Sequence, residues 1–178
     1  VEAVAGHRTL AGEVNVVIVG GALTAPSADE QSTIERIRRA ALGADPSLVT
    51  LTGNLPPREV AELMVHPAAP GGVYVGAADK EEFGLAIVEA MAAGAVVVAP
   101  ARGGPRSYVD DGDTGVLCDT LSVDALRTAI EHALAMASDD RAVERVERVR
   151  AMVRRDLGIG SMAVALAGTL PVRPRLRT

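Results

Sequence analysis

Short apolar runs alternate with longer helix-forming segments along this chain, and that alternation limits the possible folds more than any other feature. Apolar runs typical of strands lie at 14–19, 48–52, 73–76, 95–100 and 116–118. Segments with helical patterns lie at 28–42, 58–65, 85–93, 122–136, 139–156 and 161–170. Ser27 and Glu30 predict a capping box at the start of the first of these helices. Regular alternation of strand and helix implies a parallel sheet with right-handed crossovers. We therefore predict a Rossmann-like α/β fold, in which helices flank a parallel sheet.

The composition agrees with this fold and argues against several classes of function. Hydrophobic residues make up 48% of the 178 residues and aromatic residues 2%, so Val, Leu, Ile and Ala must build the core. A net charge of −5 argues against a general nucleic-acid binder. The sequence contains no apolar run of membrane-spanning length and no His/Cys cluster typical of a metal site. Cys118, the single cysteine, excludes an internal disulfide and fits the reducing cytoplasm.

The stretch from Glu81 to Gly94 carries the most chemical information. It begins polar, turns at Gly84 and continues as a mixture of helix-forming residues until Gly94, where a helix C-cap belongs. One acidic residue, Glu89, interrupts the apolar part of this run, and burying a carboxylate is costly unless a partner satisfies it. The pattern predicts a helix over 85–93.

The start of this helix predicts an anion site between two acids. The amides of Phe83, Gly84 and Leu85 have no intrahelical partners, and together with the helix dipole they suit a phosphate. The Glu89 carboxylate leans back toward the helix start, and Glu81 lies just before the turn. Carboxylates bind sugar and ribose hydroxyls, so the combination suggests a nucleotide-sugar. The simpler interpretation makes Glu81 a solvated loop acid and Glu89 a surface residue.

The same stretch resembles the E-x7-E signature of retaining glycosyltransferases with the two-domain GT-B fold, the superfamily that contains glycogen synthase and sucrose-phosphate synthase. The family pattern reads P-S-x-x-E-x-F-G-x-x-x-x-E-A-M-A-x-G, followed by apolar residues and a Gly-Gly turn. The matching residues are Glu81, Phe83, Gly84, Glu89, Ala90, Met91, Ala92, Gly94, Val96 to Pro100, Gly103-Gly104, Asp111-Gly112 and Gly115 to Leu117. Ala77-Ala78 stand where the family has Pro-Ser.

The resemblance covers about 14–156 and implies the C-terminal, donor-binding half of a GT-B enzyme. It implies a catalytic role for Glu81, which would bind hydroxyls of the donor sugar and stabilise positive charge at the anomeric centre. The amides of Phe83, Gly84 and Leu85 would hold the sugar and the diphosphate. Glu89 would bind the ribose diol.

Two further loops are expected at the same edge of the sheet, because ligands bind beyond the carboxyl ends of parallel strands. The Gly103-Gly104 loop follows the strand over 95–100. By the resemblance, the backbone near Asn54 and Leu55 would lie beside the nucleobase. An ordinary strand-to-helix loop is the alternative there.

The implied reaction is transfer of a hexose from a UDP-, GDP- or ADP-sugar to an acceptor, with retention at the anomeric carbon and without a metal or cofactor. We expect one nucleotide-sugar-binding domain over 1–170 and a tail over 171–178. The family's first strand, its N-terminal acceptor domain and its Arg/Lys segment for the diphosphate are expected to be missing, so the chain alone is expected to be inactive. A stand-alone nucleotide-sugar-binding module and a GT-B-type sugar epimerase remain alternatives. The high Ala and Arg content suggests a bacterial source.

Overall fold

The computed structural model describes residues 1–42, 44–45, 47–65, 72–161 and 163. The helices are α1 (Glu2–Ala5), α2 (Arg8–Glu13), α3 (Ala28–Ala40), α4 (Pro57–Val65), α5 (Leu85–Ala93), α6 (Val123–Ser138) and α7 (Ala142–Asp156). The strands are β1 (Val16–Val19), β2 (Val49–Gly53), β3 (Val73–Val75), β4 (Val96–Pro100) and β5 (Gly115–Cys118), and a 3₁₀ turn covers Gly104–Ser107. Apart from residues 161 and 163, the helix predicted over 161–170 and the tail over 171–178 lie outside the described residues.

Three strands form a parallel sheet in the order β3-β4-β5. All five residues of the central strand β4 are buried. Val96 and Val98 belong to one apolar cluster, with α6, whereas Val97 and Ala99 belong to a second, with α5 and α7. Successive side chains of a strand point to opposite faces, so this sheet is covered on both sides. The predicted α/β architecture of helices flanking a parallel sheet is confirmed.

The two earlier strands form a separate parallel pair. β1 and β2 run side by side from the pairing of Val16 with Val49 onward. Among the described residues no ladder joins this pair to β3. Residues of both pieces nevertheless pack against the same apolar cluster, including Val16, Val73 and Val75. The parallel sheet expected from the sequence is therefore present in two pieces that share one core.

The helices determine the order of the two pieces. α1 packs against both α3 and α6, and α6 covers one face of β3, β4 and β5. α4 packs against α5, which lies on the opposite face. The crossovers through α3 and α4 therefore lie on opposite faces, and right-handed crossovers on opposite faces move the chain in opposite directions. A right-handed crossover through α4 would therefore place β3 on the side of β1 that is away from β2.

The start of α3 agrees with its sequence signal. The Ser27 hydroxyl accepts a hydrogen bond from the Glu30 amide at 3.3 Å, and the Glu30 carboxylate accepts one from the Ser27 amide at 2.8 Å. This reciprocal pair is the predicted capping box. Its hydrogen bonds hold the pKa of Glu30 below the ordinary value, those from the backbone amides of Ser27 and Ala22 having the largest effect.

Candidate functional site

Helix α5 has the boundaries that the sequence predicts. It begins at Leu85 and ends at Ala93, and Gly94 follows in the left-handed conformation with φ 99°. The Gly94 amide donates to the carbonyls of Ala90 and Met91 at 3.0 and 3.1 Å. α5 is thus a well-terminated helix at its C-terminal end, and its N-terminal end presents the candidate site.

The turn into α5 requires glycine at position 84. Gly84 has φ 85° and ψ 57°, a left-handed conformation that side chains rarely adopt. A Cβ atom there would lie 2.7 Å from the Tyr108 hydroxyl oxygen and 2.9 Å from Ile87. The Gly84 carbonyl accepts from the amides of Ile87 and Val88, both at 3.0 Å. Conformation and space therefore both exclude a larger residue.

The Gly103-Gly104 loop lies directly against this turn. The Gly104 amide donates to the Glu81 carbonyl at 2.8 Å. A Cβ atom at Gly103 would lie 2.0 Å from the Glu81 carbonyl oxygen, and one at Gly104 would lie 2.2 Å from that of Glu82. The two predicted loops are thus brought together, and the glycine pair is needed for the close approach of the two backbones.

Three amides at the turn are available as donors. Within the described part of the chain, the amides of Phe83, Gly84 and Leu85 donate to no protein acceptor. The Leu85 side chain is 68% exposed, so the first turn of α5 borders solvent. Free amides at a helix N-terminus, together with the positive end of the helix dipole, favour an anion.

The two predicted carboxylates lie near this turn but differ in exposure. Glu81 is half-buried and Glu89 is exposed, so Glu89 does not incur the desolvation cost considered from the sequence. Burial raises the pKa of Tyr74, and the charges of Glu81 and Glu89 raise it further. Both carboxylates therefore lie close enough to the Tyr74 hydroxyl to act on it. Across the described ranges neither carboxylate forms an ion pair.

Tyr108 is a residue of this site that the sequence patterns missed. Its hydroxyl donates to the Phe83 carbonyl at 2.5 Å, and the two aromatic rings lie 5.8 Å apart at 53°. Burial, followed by the nearby charge of Glu81, raises the pKa of Tyr108 to about 12. One sequence signal was available: the chain has only three aromatic residues, and all of them, Tyr74, Phe83 and Tyr108, lie here.

Asn54 and Leu55 belong to a different loop of the structure. They follow β2, in the other piece of the sheet, where Asn54 is exposed and Leu55 half-buried. No described hydrogen bond connects them to the α5 turn. Their position after a parallel strand agrees with the expected carboxyl edge, and the described contacts join the residues around Glu81, Gly84 and Gly104.

Two cations near the turn are paired with acids, whereas Arg106, in the 3₁₀ turn over Gly104–Ser107, forms no ion pair within the described ranges. Lys80 contacts Glu82 at 2.6 Å, and Arg102 contacts Asp79 at 3.3 Å, all with exposed side chains. Over the described ranges, no group of three or more His, Cys, Asp or Glu residues is placed to hold a metal ion. None of the helices in those ranges has the length and apolarity needed to cross a membrane.

Known proteins resemble both the sequence and the structure. The family model described as "Glycosyl transferases group 1" matches residues 1–150. Sucrose synthase of Denitrovibrio acetiphilus is 34% identical over 110 residues, which are 59% of this chain and 14% of that protein. The chain therefore spans only a small part of this relative.

Solved structures share the fold. HepE of Anabaena, crystallised in complex with UDP, superposes with a TM-score of 0.74 at 23% identity, over 94% of this chain and 43% of that one. The C-terminal domain of LpcC, a glycosyl transferase group 1 family protein from Francisella tularensis, superposes with a TM-score of 0.66 at 21% identity, over 89% of this chain and 77% of that chain.

Proposed function

Because the chain belongs to the glycosyl transferases group 1 family, we propose that it is the donor-binding domain of a retaining glycosyltransferase. The enzyme moves a hexose from a nucleotide diphosphate sugar to an acceptor. One observation carries this proposal: three free amides at the start of α5 lie beside the Glu81 side chain, beyond the ends of β3 and β4, and Glu89 follows one turn further along the helix. Amides for a diphosphate and carboxylates for hydroxyls are what such a donor requires.

Each group has a proposed role that its charge and position support. The amides of Phe83, Gly84 and Leu85 hold the diphosphate, whose negative charge grows as the sugar leaves. Contacts of the turn with Gly104, Ile87 and Val88 hold these donors in place before the reaction. Glu81 binds sugar hydroxyls and stabilises the positive charge at the anomeric carbon. Glu89, one turn further along α5, binds the ribose diol.

The nucleobase contacts belong to the other piece of the sheet in this proposal. Asn54 and Leu55 follow β2, and their backbone groups would face the base. The complex of HepE with UDP supports a uridine nucleotide as the first ligand to test. GDP and ADP are the comparison ligands.

We also propose that a further parallel strand, outside the described residues, lies between β1 and β3. A strand leading through α1 and α2 into β1 by a right-handed crossover would lie on the side of β1 away from β2. α1 contacts both α3 and α6, so it covers this region. We place the acceptor-binding domain before that strand, and the active site between the two domains.

The free edges of β1 and β3 provide the test of this strand. Val16 donates to β2 and Gly76 donates to β4, so the amides of Val17 and Val75 point to the free edges. In a longer chain that includes the preceding strand, both amides are expected to exchange hydrogen much more slowly than in the 178-residue chain. Equal exchange rates in the two chains would contradict the proposed strand.

The nucleotide site is tested by calorimetric titration of the chain with UDP, GDP and ADP. We expect one of these nucleotides to bind, and Glu89→Gln to weaken that binding about tenfold because a charge-assisted hydrogen bond to ribose is lost. Glu82→Gln is the matched control, since the Glu82 side chain is exposed and pairs with Lys80. Absence of binding at millimolar nucleotide, or equal effects of the two substitutions, would contradict the proposed site.

The activity of the isolated chain is a separate expectation. The diphosphate leaving group needs positive charge, and two of the described cations near the turn, Lys80 and Arg102, are paired with acids. We therefore expect the 178-residue chain to bind a donor without transferring its sugar. Turnover at the rate of an intact two-domain enzyme would contradict this expectation.

A further inference from the structure

Tyr108 connects the loop after β4 to the start of α5 through one buried hydroxyl. The side chain is 8% exposed, and its hydroxyl oxygen lies 2.5 Å from the Phe83 carbonyl oxygen and 3.5 Å from that of Gly84. The donor and its acceptors are 24 and 25 residues apart in sequence. A single side chain therefore reaches both carbonyls of the turn that holds the free amides.

The planar peptide bond makes this contact a constraint on the amides. In a trans peptide the C=O and the following N–H point in opposite directions. A hydrogen bond that holds the Phe83 carbonyl toward Tyr108 thus holds the Gly84 N–H away from it. The Gly84 carbonyl, which also accepts from Ile87 and Val88, sets the direction of the Leu85 N–H in the same way.

The turn needs such a constraint because glycine is its central residue. Gly84 has no Cβ atom, so the peptides on either side of it rotate more freely than those of other residues. The contact between Gly104 and the Glu81 carbonyl holds the beginning of the turn, and Ile87 and Val88 hold its end. Tyr108 is the described contact that holds the Phe83 carbonyl between these two points.

We propose that Tyr108 is a positioning residue: its hydroxyl orients the Gly84 and Leu85 amides toward the diphosphate of the nucleotide. This inference rests on the proposed function, since it assigns a role in that same site. With its pKa raised to about 12, the hydroxyl stays protonated, and therefore a donor, well above physiological pH. Because Tyr108 lies on the loop after β4, it makes the anion site depend on that loop as well as on α5.

The test compares two substitutions that each remove one hydroxyl. Tyr108→Phe removes the hydrogen bond to Phe83, whereas Thr128→Val removes a hydroxyl that donates to the Asp124 carbonyl in α6, on the opposite face of the sheet from α5. Calorimetry measures the affinity of the 178-residue chain for the nucleoside diphosphate that it binds among UDP, GDP and ADP, and for the corresponding nucleoside, which has no phosphate. We expect Tyr108→Phe to weaken binding of the nucleoside diphosphate about fivefold, as for the loss of one hydrogen bond, and to leave binding of the nucleoside unchanged. Thr128→Val is expected to change neither affinity.

The outcomes separate the two proposals. If the unsubstituted chain prefers the nucleoside diphosphate to its nucleoside and Tyr108→Phe keeps that full preference, the role of Tyr108 is overturned and the proposed function stands. If the unsubstituted chain binds none of UDP, GDP and ADP, or binds the nucleoside diphosphate and its nucleoside equally, both proposals are overturned. A second measurement guards against a folding defect: residual dipolar couplings of the Gly84 and Leu85 N–H bonds are expected to change in Tyr108→Phe while those of β4 do not. Unchanged couplings at the turn would also overturn the role of Tyr108.

Discussion

The β3–β5 sheet and the β1–β2 pair have similar sequences but very different surroundings. Every residue of β4 is buried, whereas Val17 and Val19 of β1 are 49% and 41% exposed. Both pieces consist of parallel, valine-rich strands. Parallel strands are normally covered on both faces. An apolar run thus predicts a strand, but the neighbouring elements decide whether that strand is buried.

The helices show the same contrast. α5 and α6 each contain four buried residues, whereas α3 and α4, both fully described, contain none. The proposed diphosphate turn is built on the well-packed β3–β5 side. The proposed nucleobase loop at Asn54 and Leu55 lies on the open β1–β2 side. We infer that the phosphate contacts are preformed and that the base contacts depend on completion of the sheet.

The largest difference between the two sides is expected from one glycine substitution on each. Gly104→Ala places a Cβ atom 2.2 Å from the Glu82 carbonyl oxygen, and we expect it to cost about 3 kcal/mol of the free energy of unfolding. Gly12→Ala in α2 meets nothing within 4 Å and is expected to stabilise by about 0.5–1 kcal/mol. Urea denaturation measures both. Similar changes in the free energy of unfolding for the two substitutions would contradict the proposed difference between the β3–β5 side and the β1–β2 side.

The same valine deletion on each side sharpens the comparison. Val98→Ala empties fully buried space in β4, and we expect a loss of about 2 kcal/mol in the free energy of unfolding. Val17→Ala on the exposed face of β1 is expected to cost about 0.5 kcal/mol or less. Urea denaturation curves of the two variants measure these losses. Equal losses in the free energy of unfolding would contradict the exposure of Val17 in β1.

The next-largest difference in stability is expected between two arginines that lie near helix C-termini. Arg150 donates to the carbonyls of Ala92 and Ala93 at the end of α5, whereas Arg38 lies in the last turn of α3. Arg150→Met is expected to lower the free energy of unfolding, measured by urea denaturation, by about 1 kcal/mol, because two carbonyls lose a charged donor. Arg38→Met is expected to cost about 0.3 kcal/mol through the helix dipole alone. A larger loss for Arg38→Met would contradict this ranking.

The smallest expected effect is a dependence of the free energy of unfolding on pH. Arg145 donates to both Asp139 oxygens at 3.0 and 2.9 Å and so holds the pKa of Asp139 below its ordinary value of 3.8. A lowered folded-state pKa stabilises the fold above pH 3.8, and that contribution is lost as the pH falls through the folded-state value.

The corresponding measurement is the free energy of unfolding of the Asp139→Asn variant as a function of pH. This variant is expected to be less stable at neutral pH and to lose less stability on acidification than the unsubstituted chain. Asp140→Asn, which removes a neighbouring acid without a described hydrogen bond, is the matched control. An identical acid profile in Asp139→Asn and the unsubstituted chain would rule out this contribution.

Features encoded within a few residues were predictable from the sequence. The bounds of α5, its Gly94 cap and the Ser27–Glu30 capping box follow from local rules and are confirmed. The meeting of the Gly103-Gly104 loop with the Glu81 turn followed from the expected carboxyl edge of the sheet.

Features that depend on distant contacts were not predictable. Tyr108 acts on Phe83 across 25 residues, and no local pattern distinguishes it from a core aromatic residue. The exposure of Glu89 depends on what faces α5, and the exposure of Val17 depends on the strand beside β1. Strand pairing is set by elements far apart in the chain, so local apolar patterns do not reveal that the sheet is divided.

Amide chemical shifts of the ¹⁵N-labelled chain during titration with UDP test the central claim most directly. The proposed site predicts saturable shifts that are largest at Phe83, Gly84, Leu85 and Gly104, where free amides and their supporting loop meet. Asn54 and Leu55 are expected to shift less in the 178-residue chain. Saturation with the largest shifts elsewhere, or no shift with any of UDP, GDP and ADP at millimolar concentration, would contradict the claim that the α5 turn binds the diphosphate.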